Sequence, residues 1–525
     1  MDLVDKPTPP KPDLRAVITL PNRNYSAICS NAFQPTPWRI VNHLPVACLY
    51  LFASYLWAPS AALAAPPPIS IPAATDENSL PTSPGLFGFL DEINRSQVLL
   101  GDMWGLRTGL SRAGISLAVE ETSEDLGNTS GGTKKGFEYD GLTQVVAQLD
   151  TQRAFGHYGG LFNVSLLNIH GNNLSSDNLQ TLQTASGIEA DRSTRLWELW
   201  YDQKFLDEDR LDVKIGQQSL DQEFMVSTNA LYFVNTMFGW PMLPSADMPG
   251  GGPAYPLSDL GIRFRGRPID GVTLLAGVFN GDPVKDDNGT DPQSQDNRGT
   301  SFPWGGGQLY IAELQISHPA LGSIVEPGQS QALAWTGRIG AWYDSKNFSD
   351  VRIDQNGLSL ANPASNGTPQ QHTGDYAIYG VVDKLIWVDE DYPDRTVGVF
   401  ARVMGTPLQD RNLIDFSMNA GLVFHSLLRN RPADTFGVGM GYTRVSNQVS
   451  QLDEDAVIFS GTSMPVQGGE TFVELTYQYQ WYPWIQIQPD IQYVFNPGAG
   501  IPSPDDPTTR IQNELVLGVR TNISF

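Results

Sequence analysis

The chain has 525 residues, 40% of them hydrophobic, with 51 Gly, 38 Pro and a formal net charge of −24. That charge argues against a nucleic-acid partner, which needs a basic face, and weakly against an anion channel. Glycine and proline are frequent enough for many turns, but no collagen-like or low-complexity tract follows.

Residues 44–57 form an apolar stretch behind Arg39, ending at Ser60-Ala61-Ala62-Leu63-Ala64-Ala65. A basic region, a short apolar core and small residues are the order of a signal peptide, cut after Ala64 or Ala65. The core is shorter than the ~20 residues that span a bilayer as a helix. The Pro-rich stretch before it suggests a translation start further downstream. Cys29 and Cys48 both precede the cut, so no disulfide or cysteine metal site is expected after it. The expected organisation is a leader at 1–64, a Pro-rich linker at 65–84, a short helical segment at 85–113 and one unit over 114–525. Beyond the leader there is no apolar run of 18 residues, which leaves an exported chain either soluble or a barrel.

Along 114–525 the dominant signal is a period of two. Sixteen segments carry it, near 114–127, 139–151, 159–171, 193–206, 210–218, 259–268, 271–281, 308–318, 332–345, 375–388, 395–406, 414–427, 434–448, 469–482, 484–496 and 511–525. In the last, Leu515, Leu517, Val519, Thr521, Ile523 and Phe525 alternate with Glu514, Val516, Gly518, Arg520, Asn522 and Ser524. One face is apolar and the other polar or small, as in a strand between two different solvents. Many runs reach ten residues, longer than typical globular strands and suited to crossing a membrane at a tilt. Long gaps follow most odd-numbered strands and short ones most even-numbered strands, the outer-membrane arrangement. The expected fold is therefore all-β, a sixteen-stranded transmembrane antiparallel up-and-down barrel. It closes because lipid leaves no partner for the backbone groups of a free edge.

The longest gap, 219–258, carries the hydrogen-bonding side chains Asp221, Glu223, Asn229 and Asn235. Phe224, Tyr232, Phe233, Phe238 and Trp240 add aromatic rings. The sixth strand reads Gly261-Ile262-Arg263-Phe264-Arg265-Gly266-Arg267. An arginine row facing lipid would cost ~2–4 kcal/mol per residue at the midplane, so Arg263, Arg265 and Arg267 are expected to face the lumen. Glu198, Trp200, Asp212, Lys214, Arg338, Arg402 and Arg520 fall on lumen positions by the same alternation. Such charges either contact solute or only pin the loop to the wall.

Other constellations fail on context. Gly437-Val438-Gly439-Met440-Gly441 lies inside a strand with no helix after it, so it is no nucleotide turn. Asp286 to Asp291 lacks the spacing and terminal Glu of a calcium loop and reads as an acidic turn. The six histidines are scattered without metal spacing. Asp453-Glu454-Asp455 and Asp505-Asp506 read as solvated loops. No cofactor is expected.

Four segments carry a family resemblance. They are Leu99-Leu100-Gly101-Asp102 with Gly105-Leu106-Arg107; Trp200-Tyr201-Asp202-Gln203 with Gly216-Gln217; Glu223-Phe224 through Gly250-Gly251-Gly252-Pro253-Ala254-Tyr255-Pro256-Leu257 and on to Phe279-Asn280-Gly281-Asp282-Pro283; and Glu474-Leu475-Thr476-Tyr477 with Pro489-Asp490 and Gln492-Tyr493. Together they resemble the carbohydrate-selective porins of the OprB type. The chain departs at Met103-Trp104, where Trp-Gly is expected. The resemblance implies a sixteen-stranded channel for passive diffusion of glucose-like sugars into the periplasm, with 219–258 folded inward as a constriction whose carboxylates and amides would meet sugar hydroxyls and whose rings would meet the apolar face of a pyranose. It also implies an outer-membrane lipid environment and a C-terminal signal at Phe525 read by the barrel-assembly machinery. Monomer and trimer both remain open. The alternatives are a general or anion-preferring porin on the same barrel, and an outer-membrane barrel enzyme or adhesin.

Overall fold

The structure, a computed structural model, describes residues 98–284, 291–303, 305–318 and 334–525. The expected leader and linker, the first part of the 85–113 segment, most of the acidic turn at 286–291 and the turn at 319–331 lie outside the described residues.

Sixteen strands form a closed antiparallel barrel in which each pairs with its sequence neighbours and the first pairs with the last. They are β1 Ile115–Ser130, β2 Gly136–Asp150, β3 Gly160–Gly171, β4 Ser193–Phe205, β5 Leu211–Gln218, β6 Asp259–Ile269, β7 Val272–Asn280, β8 Gln308–His318, β9 Trp335–Asp354, β10 Pro369–Val388, β11 Thr396–Gly405, β12 Ile414–His425, β13 Thr435–Val445, β14 Gly469–Tyr482, β15 Ile485–Phe495 and β16 Glu514–Ser524. Among the described residues no helix is long and apolar enough to cross a membrane.

The alternation reads directly onto the two faces. In β16, Glu514, Val516, Arg520 and Asn522 are buried inside, while Leu515, Leu517 and Val519 point outward. In β15 the pattern is Gln486, Gln488, Asp490 and Gln492 inside against Ile487, Ile491, Tyr493 and Phe495 outside. Lipid takes the apolar set without loss, and water or loops take the polar set. Closure is the antiparallel pairing of β1 with β16, and inside that seam Arg520 donates to Glu124 beside the pair Thr122–Asn522 (2.9 Å). Aromatic side chains gather where strands leave the bilayer. At the β14–β15 turn, Tyr482 stacks on Trp481 and Trp484, both at ring-centroid separations of 5.7 Å. Such rings favour the water–lipid boundary.

Three connections differ from the sequence expectation. The β1–β2 connection shrinks to 131–135, because Gly131 and Gly132 at φ +71° each turn the chain tightly and both strands run on past their alternating cores. β9 and β10 extend well beyond 332–345 and 375–388 as a hairpin whose outer end no longer alternates strictly; Asp350 and Asp354 are buried there and Val351 packs against the main apolar cluster. The acidic run Asp453-Glu454-Asp455 lies in a helix, Asn447–Ser460, where Asp455 pairs with Arg352 on the β9 extension (2.7 Å). The 85–113 segment contributes one short helix, Leu106–Arg112. Its Arg107 is buried against the barrel end and donates to the carbonyls of Gly101 (2.8 Å) and Phe525.

Candidate functional site: a loop clamped across the lumen

The 219–258 loop leaves β5, crosses the barrel and returns to β6. Short helical turns, Asn229–Tyr232, Thr236–Gly239 and Met242–Asp247, give it its own apolar centre. Phe224, Phe233, Phe238, Met237 and Met242 are almost wholly buried there, together with Phe400 and Phe472 of the wall. Phe233 stacks on Phe238 at 4.3 Å, and Phe238 meets Phe472 edge-on at 5.3 Å. The wall makes room with glycine. A Cβ on Gly437 would lie 2.9 Å from the Phe233 ring, and one on Gly439 2.6 Å from Phe238. The Gly437–Gly441 motif is thus the seat of the loop's aromatic wedge.

A loop held inside a barrel must satisfy its backbone polar groups against the wall. Inward carboxylates accept its N–H groups. Glu474 takes Val234 (2.6 Å) and Asn235 (3.0 Å). Asp383 takes Thr228 (3.3 Å), Asn229 (3.1 Å) and the Ser227 hydroxyl (2.7 Å). Glu313 takes Met225 (2.8 Å), and Glu198 takes Ser219 (3.0 Å). Inward cations and amides donate to its carbonyls: Arg402 to Met225 and Gly239, both 2.9 Å, and to Met237; Gln488 to Tyr232 (2.9 Å). On the loop itself, Asp247 accepts from the backbone of Leu413 and Ile414, and burial pushes its carboxyl well above the usual range.

A second connection, 172–192, folds inward beside it. Leu182 and Gln183 donate backbone N–H groups to Glu470, Gln492 donates to Ala185 O (2.8 Å), and Thr184 bonds Thr236 (2.6 Å). Sequence reasoning expected only one inward loop. The inward carboxylates Glu313, Asp383, Glu470 and Glu474 were visible in the alternation and could have flagged where loops attach.

Where the loop meets β4, β5 and β6, charges interleave. Arg263 contacts Asp212, Glu223 (2.6 Å) and Asp202 (3.6 Å). Arg265 donates Nε to Asp212 (2.6 Å). Lys214 pairs with Glu223 and lies 4.6 Å from the centre of the Trp200 ring. Asp221 takes the Ser219 hydroxyl (2.5 Å) and Tyr255 N–H (3.0 Å); burial raises its pKa to about 7. The structure therefore gathers Glu198, Trp200, Glu223, Arg263 and Arg265, with Asp221 beside them. It sends the others elsewhere. Arg267 binds the carbonyl of Asp209 in the β4–β5 turn (2.8 Å). Phe224 and Phe238 sit in the loop's apolar centre, and Trp240 is tied by its indole N–H to Gly251 O (2.9 Å). Asn229 packs on Gly398 with its amide toward Val399 O (3.4 Å), and Asn235 caps the Thr236–Gly239 turn while donating to Gln492 (3.0 Å).

A sixteen-stranded barrel with a loop clamped across its lumen is the architecture of a pore, and the comparisons say which kind. The family profile described as carbohydrate-selective porin, OprB family, matches residues 134–525. The chain belongs to the carbohydrate-selective porin family. It is 23% identical over 465 residues to Porin B of Pseudomonas aeruginosa, covering 82% of this chain and 92% of that one. It is 23% identical over 434 residues to the putative porin QuiX of Acinetobacter baylyi, covering 78% and 90%. In fold it matches the high-pH structure of Pseudomonas putida OprB with a TM-score of 0.70 at 23% identity, covering 82% of this chain and 99% of that one. As a carbohydrate-selective porin the chain is an outer-membrane sugar channel, and its relatives are channels rather than enzymes.

Proposed function

We propose that this porin passes small, glucose-like sugars by diffusion into the periplasm, and that selection occurs where the 219–258 loop meets β4–β6. One observation carries the reading. The carboxylates Glu198, Asp202, Asp212 and Glu223 interleave with Lys214, Arg263 and Arg265 in one patch. Donors and acceptors thus alternate with little net charge. A polyhydroxyl solute can exchange water for both kinds of partner, while an ion meets repulsion from half of them. Trp200, buried under Lys214, braces the patch from behind. Contacts must stay weak, or the solute would not leave.

The anion-preferring alternative loses its main support, because Arg263 and Arg265 are already paired with carboxylates. The C-terminal strand ending at Phe525 is the segment we assign to recognition by the assembly machinery.

Planar-bilayer conductance tests the reading. Millimolar glucose should reduce the current, and phosphate should not. Block by phosphate with no response to glucose would replace it with an anion pore.

A further inference from the structure

Strand β16 begins, inside the barrel, with a carboxylate that no donor answers. Glu514 is wholly buried, and neither of its oxygens has a hydrogen-bond partner among the described residues. Its charged neighbour is a second buried carboxylate, Glu470. Glu470 is satisfied, since it accepts the N–H groups of Leu182 (2.9 Å), Gln183 (2.7 Å) and Gly498 (2.7 Å). Glu514 is not, and a buried charge beside a like charge needs compensation.

Two asparagines meet Glu514 there. Asn128 of β1 donates its amide N–H groups to the carbonyls of Gly131 (3.1 Å) and Lys134 (2.9 Å), which fixes the opposite side of the amide as oxygen and leaves that oxygen without a donor. Asn178, on the second inward loop, is wholly buried with both its side-chain oxygen and nitrogen unpartnered among the described residues. Its backbone carbonyl accepts from Thr133 (2.8 Å) and Lys134 (3.2 Å), which pins the loop to the β1–β2 turn. Gly132 marks where the three groups converge. A Cβ there would lie 2.6 Å from Asn178 O, 2.7 Å from Asn128 Nδ2 and 3.3 Å from Glu514 Oε1.

We propose that this corner of the β1–β16 seam binds a calcium ion through the Glu514 carboxylate and the side-chain oxygens of Asn128 and Asn178. Four side-chain oxygens there lack a donor. One proton on Glu514 would serve a single oxygen; a cation serves them all and balances the charge. Among the described residues no three His, Cys, Asp or Glu side chains gather as a metal centre, so the donor set is one carboxylate with amide oxygens. Such an all-oxygen set suits a hard, adaptable cation such as calcium, with water completing its roughly six to eight ligands, and does not suit zinc. The bound ion ties the β1–β2 turn and the 172–192 loop to the last strand. The inference does not depend on which solute passes.

Calorimetric titration of calcium into the chelator-treated, detergent-solubilised full chain tests it, together with the temperature at which the barrel unfolds in heat-modifiable migration. The expected result is one calcium per chain and an unfolding step raised by several degrees in calcium. Glu514→Gln should weaken binding about tenfold or more, because ligand charge sets the affinity of such sites. In chelator it should unfold no earlier than the unsubstituted chain, since it removes an uncompensated charge. Asn178→Leu should also weaken binding, although its side chain has no protein partner to lose. Unfolding that shifts with pH but not with calcium would assign a proton to Glu514 and overturn the proposal. So would a calcium response of equal size in both folded variants, which would place the ion elsewhere, or no response in the unsubstituted chain, which would leave water as the partner of these oxygens.

Discussion

Arg263 and Arg265 stand two residues apart on one strand and face the same lumen, yet their surroundings differ. Arg263 is enclosed by Asp202, Asp212 and Glu223, whereas Arg265 rests on Asp212 alone. Removing one partner of a buried charge cluster leaves the others uncompensated, at about 3–5 kcal/mol. Arg263→Ala should therefore lower barrel stability in denaturant titrations and unseat Glu223. Arg265→Ala should leave stability nearly unchanged and alter the glucose concentration needed for half-block. Asp221 adds a pH dependence. Burial raises its pKa in the folded loop to about 7, above the ordinary carboxylate value of 3.8, so the folded form holds the proton more tightly. Its contribution is complete below pH ~4 and is lost as pH rises through about 7. Open-channel current noise should grow between pH 5 and 8 and become flat with pH in Asp221→Asn; an unchanged slope in that variant would assign the effect to another group.

At the scale of elements, the constriction is a fit between a loop and particular strands. β13 contributes small residues inside, and the loop contributes Phe233 and Phe238. Gly439→Val would drive two methyl groups into that aromatic pair, whose neighbours leave no room for retreat. The strand would still pair with β12 and β14. The expected outcome is a folded barrel with higher single-channel conductance and weaker glucose block. Arg402→Ala should act the same way by releasing the carbonyls of Met225, Met237 and Gly239. A stable barrel with unaltered conductance in both variants would show that the loop does not set the narrowing.

At the scale of the whole molecule, the barrel closes without an edge, and β1 meets β16 through the buried Arg520–Glu124 pair. Each strand of the wall is then paired on both sides inside one ring, so strands cannot peel away singly at low cost. Unheated samples should migrate differently from boiled ones in detergent gels, in a single step. Arg520→Ala should lower the temperature of that step, because it leaves Glu124 alone in the seam between the first and last strands.

The sequence by itself determined the strands, their number, their inward and outward faces and the side of the barrel with long connections. Those properties follow from a local rule: adjacent residues on a strand point into different solvents, and the membrane enforces the alternation residue by residue. The final strand shows it, with Leu517 outside and Arg520 inside as its pattern required. Family motifs added the inward loop. Only the tertiary structure decided what the candidate residues do. Phe224 and Phe238 could have flanked a sugar or filled a core, and composition alone does not separate the two. Their burial in the loop's apolar centre does, with Phe238 packed on Gly439 and Phe472. Arg267 shares its face with Arg263 but meets a turn instead of the loop, because the loop crosses at a height no alternation encodes. The second inward loop and the wall carboxylates that grip both loops likewise depend on residues distant in sequence coming within hydrogen-bond reach, which closure of the barrel brings about.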